Sequence, residues 1–178
     1  MVLTGAPGAG KSSTARELGR STGAAVLDQD AMTNPLVDVV AELIGAADYD
    51  DPRLAGLVRA ARYACLLRVA GDCVGAGVPA ILVAPFTAER RDPAAWSRLA
   101  DEVIAFGGRP HLAWLRIGSG DLAERLRGRA ATRDAAKLRS LEEYVASLDL
   151  SAPAVPFVDV DATATPADQA ALIRSAVS

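Results

Sequence analysis

The chain has 178 residues, 51% of them hydrophobic but only 4% aromatic, with a formal net charge of −3 and a pI near 5.2. That length gives one domain whose core is built from Ala, Val and Leu. The acidic balance excludes a general nucleic-acid binder, and no apolar run reaches the roughly 18 residues of a membrane span. Apolar Met1-Val2-Leu3 opens the chain and predicts a strand over Val2-Leu3-Thr4. Residues 5–12 then read Gly-Ala-Pro-Gly-Ala-Gly-Lys-Ser, which fills every fixed position of G-x-x-x-x-G-K-[ST]. A helix is expected over about 10–20, and a strand, loop and helix in that order aim a helix dipole at bound phosphate. Gly5, Ala6, Pro7, Gly8, Ala9, Gly10, Lys11, Ser12 and Ser13 are therefore the expected ATP-binding residues. The backbone N–H groups curl around the anion, Lys11 brings a mobile charge to the outer phosphates, and Ser12 offers its hydroxyl to Mg²⁺.

The next apolar run, Ala24 to Leu27, ends in Asp28-Gln29-Asp30. A parallel strand that ends this way presents carboxylates at the ligand edge of the sheet. Asp28 is assigned to the metal shell with Ser12, and Asp30 to the hydroxyl of a phosphoryl acceptor, with an exchange of those roles left open. Asn34-Pro35, Asp51-Pro52, Asp92-Pro93 and Thr165-Pro166 each place a capping residue before a proline. They predict helices over 35–45, 52–76, 93–106 and 166–176, with weaker signals for 120–131 and 134–148. Strands are expected at Val78 to Ala84, Leu112 to Ile117 and Val155 to Val160. Apolar strands alternating with helices imply a parallel sheet covered on both faces, a three-layer α/β/α sandwich.

The third strand leads into Ala84-Pro85-Phe86-Thr87, where ATPases of mechanical type carry an aspartate. GTPase specificity signatures are also missing. Arg90 and Arg91 follow, and Arg59 and Arg62 lie on the long helix 52–76; these four are candidates for holding an anionic or hydroxyl-rich acceptor. Residues 119–139 carry Arg125, Arg129 and Arg133, and are expected to form a helical lid whose guanidinium groups neutralise the moving phosphoryl group and exclude water. Cys65 and Cys73 read as small core residues with no metal spacing, suited to a reducing cytoplasm. His111 reads as a strand-edge residue, and Trp96 and Trp114 as core.

Together, the loop at the extreme N-terminus, Asp28-x-Asp30, the missing carboxylate after Val83 and the arginine-rich 125–133 resemble the small P-loop kinases. These include shikimate kinase, gluconate kinase and chloramphenicol phosphotransferase, within the nucleoside monophosphate kinase-like fold. The resemblance covers most of the chain as a single P-loop kinase domain, residues 1–178, with an acceptor region at about 30–70. It implies a five-stranded parallel sheet in the order 2-3-1-4-5, ATP and Mg²⁺ as co-substrates, and transfer to a hydroxyl of a small polyhydroxy molecule, sugar-like or an antibiotic. Shikimate kinase's Gly-Gly-Gly after its third strand is here Ala84-Pro85-Phe86. The alternatives are a nucleoside or nucleotide kinase, and an ATP-binding regulatory protein with little phosphotransfer. A monomer and a homodimer are both compatible with the sequence.

Overall fold

A computed structural model describes residues 1–49, 51–129 and 141–177. Five strands, β1 (Val2–Gly5), β2 (Ala25–Asp28), β3 (Ala80–Val83), β4 (Leu112–Arg116) and β5 (Val158–Asp161), form one sheet. Its order is β2-β3-β1-β4-β5, every neighbouring pair is parallel, and Val2 lies opposite both Leu82 and Leu112. The expected strand order holds.

Among the described residues the helices are α1 (Lys11–Thr22), α2 (Gln29–Ile44), α3 (Pro52–Gly75), α4 (Thr87–Arg91), α5 (Pro93–Ala105), α6 (Ser119–Arg129), α7 (Leu141–Ser147) and α8 (Pro166–Val177). Alternation along the strands sends side chains to opposite faces and makes two cores. Leu3, Ile81, Val83, Ala113, Leu115 and Val160 face one side, under Ala15 and Leu18 of α1, Leu122 and Leu126 of α6, and Ile173 of α8. Val2, Ala80, Leu82 and Leu112 face the other, under Leu66 and Ala70 of α3 and Leu99 of α5. Trp114 is buried and meets Phe157 edge-on, while Trp96 packs on the edge of the second core.

Three local expectations need correction. The second helix begins at Gln29, not at Pro35, because Asp28 caps it: its Oδ1 accepts from the N–H groups of Asp30 and Ala31 at 3.0 and 3.4 Å. Pro35 then sits inside the helix, where its missing N–H removes one helical bond that the cap and the packing of α2 on α3 outweigh. Consequently Asp30 belongs to the first turn of α2 and only Asp28 ends the strand. Residues 87–91 form a short helix that the sequence reading left out, and Cys65 is exposed while Cys73 is half-buried. The expected helix over 134–148 is described only as Leu141–Ser147, and Arg133 lies outside the described residues.

Phe86, just past β3, is fully buried with φ near +43°, the one non-glycine residue with positive φ among those described. Its N–H donates to the Tyr63 hydroxyl at 3.0 Å, and the two rings meet edge-on with centroids 5.5 Å apart. Burial pushes the Tyr63 phenol up to about 12, with the nearby Glu89 carboxylate adding to the shift. Packing and this hydrogen bond hold a backbone turn that turns the chain sharply at the carboxyl end of the sheet.

Candidate functional site

The loop between β1 and α1 wraps the amino end of α1. Gly8 and Gly10 adopt φ of +90° and +98°, which only glycine takes without strain. A Cβ at Gly8 would also lie 3.1 Å from Leu122 and Leu126 of α6, so the loop is packed from behind. Gly10 is the N-cap and brings no side chain to cap the helix, so no capping side chain competes for the leading N–H groups. Those groups and the positive end of the helix dipole suit an anion. Lys11 folds back over the loop, and its Nζ donates to the carbonyls of Gly5 and Ala6 at 2.9 and 3.0 Å.

Two oxygen donors meet beside this loop. The Ser12 hydroxyl donates to Asp28 Oδ2 at 2.5 Å. Asp28 thus spends one carboxylate oxygen on the α2 cap and turns the other to the phosphate loop. This pairing is what a hard divalent cation held by a hydroxyl, a carboxylate and water uses. The described residues hold no cluster of three or more His, Cys, Asp or Glu side chains able to bind a metal on their own.

A ring of hydrogen bonds braces the loop from the far side. Arg125 donates through Nη1 to the Ala9 carbonyl at 3.0 Å and through Nη2 to the Ala162 carbonyl at 2.6 Å. Gln169 of α8 donates to the carbonyls of Asp161, Ala162 and Ala164, and accepts from the buried Thr14 hydroxyl of α1 at 2.5 Å. Arg125, read from the sequence as a lid residue over the phosphates, is here a brace between the loop and the turn after β5. Its fork is matched to two backbone carbonyls. Thr14 and Gln169 carry no motif and were missed.

The side chains expected to serve an acceptor lie between α2 and α3. Arg62 donates through Nη2 to Asp30 Oδ1 at 2.7 Å and to Asn34 Oδ1 at 2.8 Å, and through Nε to the Thr33 hydroxyl at 2.8 Å. Next to it opens a pocket of about 300 Å³, lined by Gln29, Arg59, Arg62, Tyr63 and Thr87 together with an apolar wall. Arg59 and Arg62 thus line one pocket, and Arg62 pairs with Asp30. Tyr49, on the rim, donates to Asp38. Asn34, taken from the sequence as a helix cap, instead serves Arg62. Gln29 was passed over, although its place between the two aspartates was the available signal.

Arg90 and Arg91 are corrections. Arg90 is 7% exposed and donates to the carbonyls of Asp149 and Ser151, both at 2.7 Å, and to Asp149 Oδ2 at 2.9 Å. Arg91 pairs with the same carboxylate. Both hold the segment leading into β5. The pair of aspartates at the end of β5 is likewise structural: Asp161 accepts from the hydroxyl and N–H of Thr163, and Arg116 bridges it to Asp159.

Comparison with known proteins agrees with this geometry. Residues 1–151 match the family model described as AAA domain. A protein of Chloroflexus aurantiacus provisionally assigned as a kinase superposes with a TM-score of 0.64 at 18% identity, over 99% of this chain and 93% of its own. A gluconokinase of Sinorhizobium meliloti gives 0.57 at 22% identity, over 98% and 91%. A shikimate kinase of Aquifex aeolicus gives 0.54 at 15% identity, over 99% and 94%. At such identities these matches establish the fold, which is that of the P-loop kinases. Curated protein sequences return no match. No helix among the described residues is long and apolar enough to cross a membrane.

Proposed function

The chain belongs to the AAA-domain family of P-loop proteins, and from that premise we propose that it is an ATP-dependent kinase that phosphorylates a hydroxyl of a small molecule held between α2 and α3. The observation that carries this reading is the contact of Ser12 with Asp28, at the amino end of α1, two residues from Asp30, whose carboxylate is held at 2.7 Å by Arg62 of the pocket between α2 and α3. The residues fit MgATP: a glycine-built loop at a helix N-terminus, a lysine lying over it, and a hydroxyl–carboxylate oxygen pair. When bound, Mg²⁺ and ATP supply the phosphoryl group and neutralise charge on its oxygens.

The chain's own side chains do the rest. Lys11 exchanges the Gly5 and Ala6 carbonyls for phosphate oxygens, and Ser12 and Asp28 orient the cation. Asp30 takes the proton from the acceptor hydroxyl as that oxygen forms the new bond to phosphorus and the bond to the ADP oxygen breaks. Arg62 holds Asp30 in place. Arg129 and Arg133 are proposed to meet the developing charge from the lid and to keep water out. Arg59 is proposed to meet a polar group of the acceptor. The missing carboxylate after Val83 favours this reading over an ATPase of mechanical type.

The test is ATP consumption against sugars, sugar acids, nucleosides and antibiotics, with mass spectrometry for the gain of one phosphoryl group. Lys11→Ala and Asp30→Asn are each expected to lower turnover by about 100-fold or more. ATP affinity should survive in Asp30→Asn. Near-normal turnover by Asp30→Asn would remove that residue from the proton-accepting role, and ATP hydrolysis without any acceptor product would favour a regulatory ATP-binding protein instead.

A further inference from the structure

We infer that Gln29, the residue between the two aspartates, reads an oxygen atom of the acceptor, and that this acceptor presents an apolar face beside that oxygen. The inference rests on the kinase reading and names what its acceptor site selects.

Gln29 is 5% exposed, yet its Nε2 is buried with no hydrogen-bond partner among the described residues. A buried amide donor without a partner is costly and is rare in a folded protein unless a ligand completes it. Its place is fixed. Gln29 is the first residue of α2, flanked by the Asp28 cap, and its carbonyl accepts from the Thr33 hydroxyl at 2.6 Å. The side chain lines the same pocket as Arg62, the partner of Asp30.

Two of the other polar groups around that pocket have protein partners. Arg62 serves Thr33, Asp30 and Asn34, and the Tyr63 oxygen is taken by the Phe86 N–H. The carboxamide of Gln29 is a buried donor without a partner among the described residues, in a cavity of about 300 Å³ that Arg59 and Thr87 also line. The same pocket is walled by Val37, Leu54 and Val58. A molecule with hydroxyls on every side would leave some of them dry and unpaired against that wall. An acceptor with one oxygen-bearing edge and one apolar ring or chain satisfies both sides.

The experiment compares wild-type protein with Gln29→Met, which keeps the length of the side chain and removes the donor. In thermal unfolding without ligand, Gln29→Met is expected to raise Tm by about 2–4 °C, because an unsatisfied donor is gone. A lower Tm, or a variant that does not fold, would show that the amide is satisfied within the protein and would overturn the inference. In parallel, both proteins are assayed with thymidine, phenyl β-D-glucoside, gluconate and myo-inositol as acceptors. Whichever of thymidine and phenyl β-D-glucoside is phosphorylated, Gln29→Met should raise its KM at least 10-fold and leave the KM for ATP within 2-fold. An unchanged acceptor KM overturns the role of Gln29. Turnover of gluconate or myo-inositol in preference to both thymidine and phenyl β-D-glucoside, or turnover of neither thymidine nor the glucoside, overturns the apolar face. Failure of the wild-type protein to bind ATP would break the kinase reading alone, and the Tm comparison would still judge Gln29.

Discussion

Arg62–Asp30 and Arg90–Asp149 are two arginine–aspartate pairs of nearly equal length, 2.7 and 2.9 Å, in regions with opposite character. The side chain of Arg90 is 8% exposed, and two of its three partners are backbone carbonyls. It holds the segment before β5 on α4, and its own carbonyl accepts from the Ala154 N–H at 2.8 Å. Arg62 meets only side chains, and the carboxylate it holds is 56% exposed. Exposed side-chain partners can be exchanged for a ligand at little cost, whereas a buried guanidinium forked across two carbonyls of a distant segment cannot let go without leaving them unpaired. A pair made of side chains at the mouth of a pocket suits a site, and one clamped to the main chain suits a frame.

The comparison breaks first at Arg90. Arg90→Ala leaves two carbonyls and a carboxylate facing a void, and should cost about 3 kcal/mol, or on the order of 10 °C in Tm. Arg90→Lys should recover little, because an ammonium cannot fork across Ser151 and Asp149. Retained stability in Arg90→Ala, measured by calorimetry, would show that the clamp is not a frame. Arg62→Ala is expected to do the reverse. Its contacts are partly exposed and worth about 1 kcal/mol or less to folding. Turnover should nevertheless fall roughly 10- to 100-fold as Asp30 loses its position, with the KM for ATP unchanged. Kinetics and a melting curve on the same sample read both effects. Equal losses of stability in the two variants would erase the distinction.

That distinction explains what was legible in the sequence. The phosphate loop is a local object: its glycines, lysine and serine are consecutive and its chemistry is set by backbone conformation, so the string of letters already specifies the shape. The parallel sheet covered on both faces follows from apolar runs alternating with capped helices, whereas its strand order follows only from the resemblance to the small P-loop kinases. Asp28 was legible because it ends a strand. The cap at Asn34-Pro35 misled because a proline late in the first two turns resembles one at a helix start, and the deciding contact, Asp28 to the N–H groups of Asp30 and Ala31, was hidden by the expected metal role. Arginines were the least legible residues. Arg62, Arg90 and Arg125 look alike in a chain with 17 of them, and only tertiary contacts with Asp30, Asp149 and Ala162 separate a site residue from a clamp and a brace. Gln29 and Gln169 carry no charge or motif and acquire meaning from burial alone.

The smallest expected effect sharpens the frame side of the comparison through pH. The Ser151 hydroxyl and N–H hold the Asp149 carboxyl well below the usual carboxylate range, with Arg91 and Arg90 adding to the shift. Because the folded value lies below the unfolded value near 3.8, this stabilisation is fully present above that value and disappears as pH falls through the folded one. The carboxylate is 26% exposed and shared with the exposed Arg91, so solvent screens the pair and its contribution stays near 1 kcal/mol or less. Asp149→Asn should therefore melt about 2–4 °C below the wild type at pH 7 and at pH 5, with the gap closing below about pH 4. Arg90 would keep its carbonyl partners throughout, so the Arg90→Ala deficit should persist where the Asp149→Asn deficit vanishes. A gap for Asp149→Asn that stayed constant to strongly acid pH would mean that the carboxylate acts by shape and not by charge, and that the backbone carbonyls alone make the clamp.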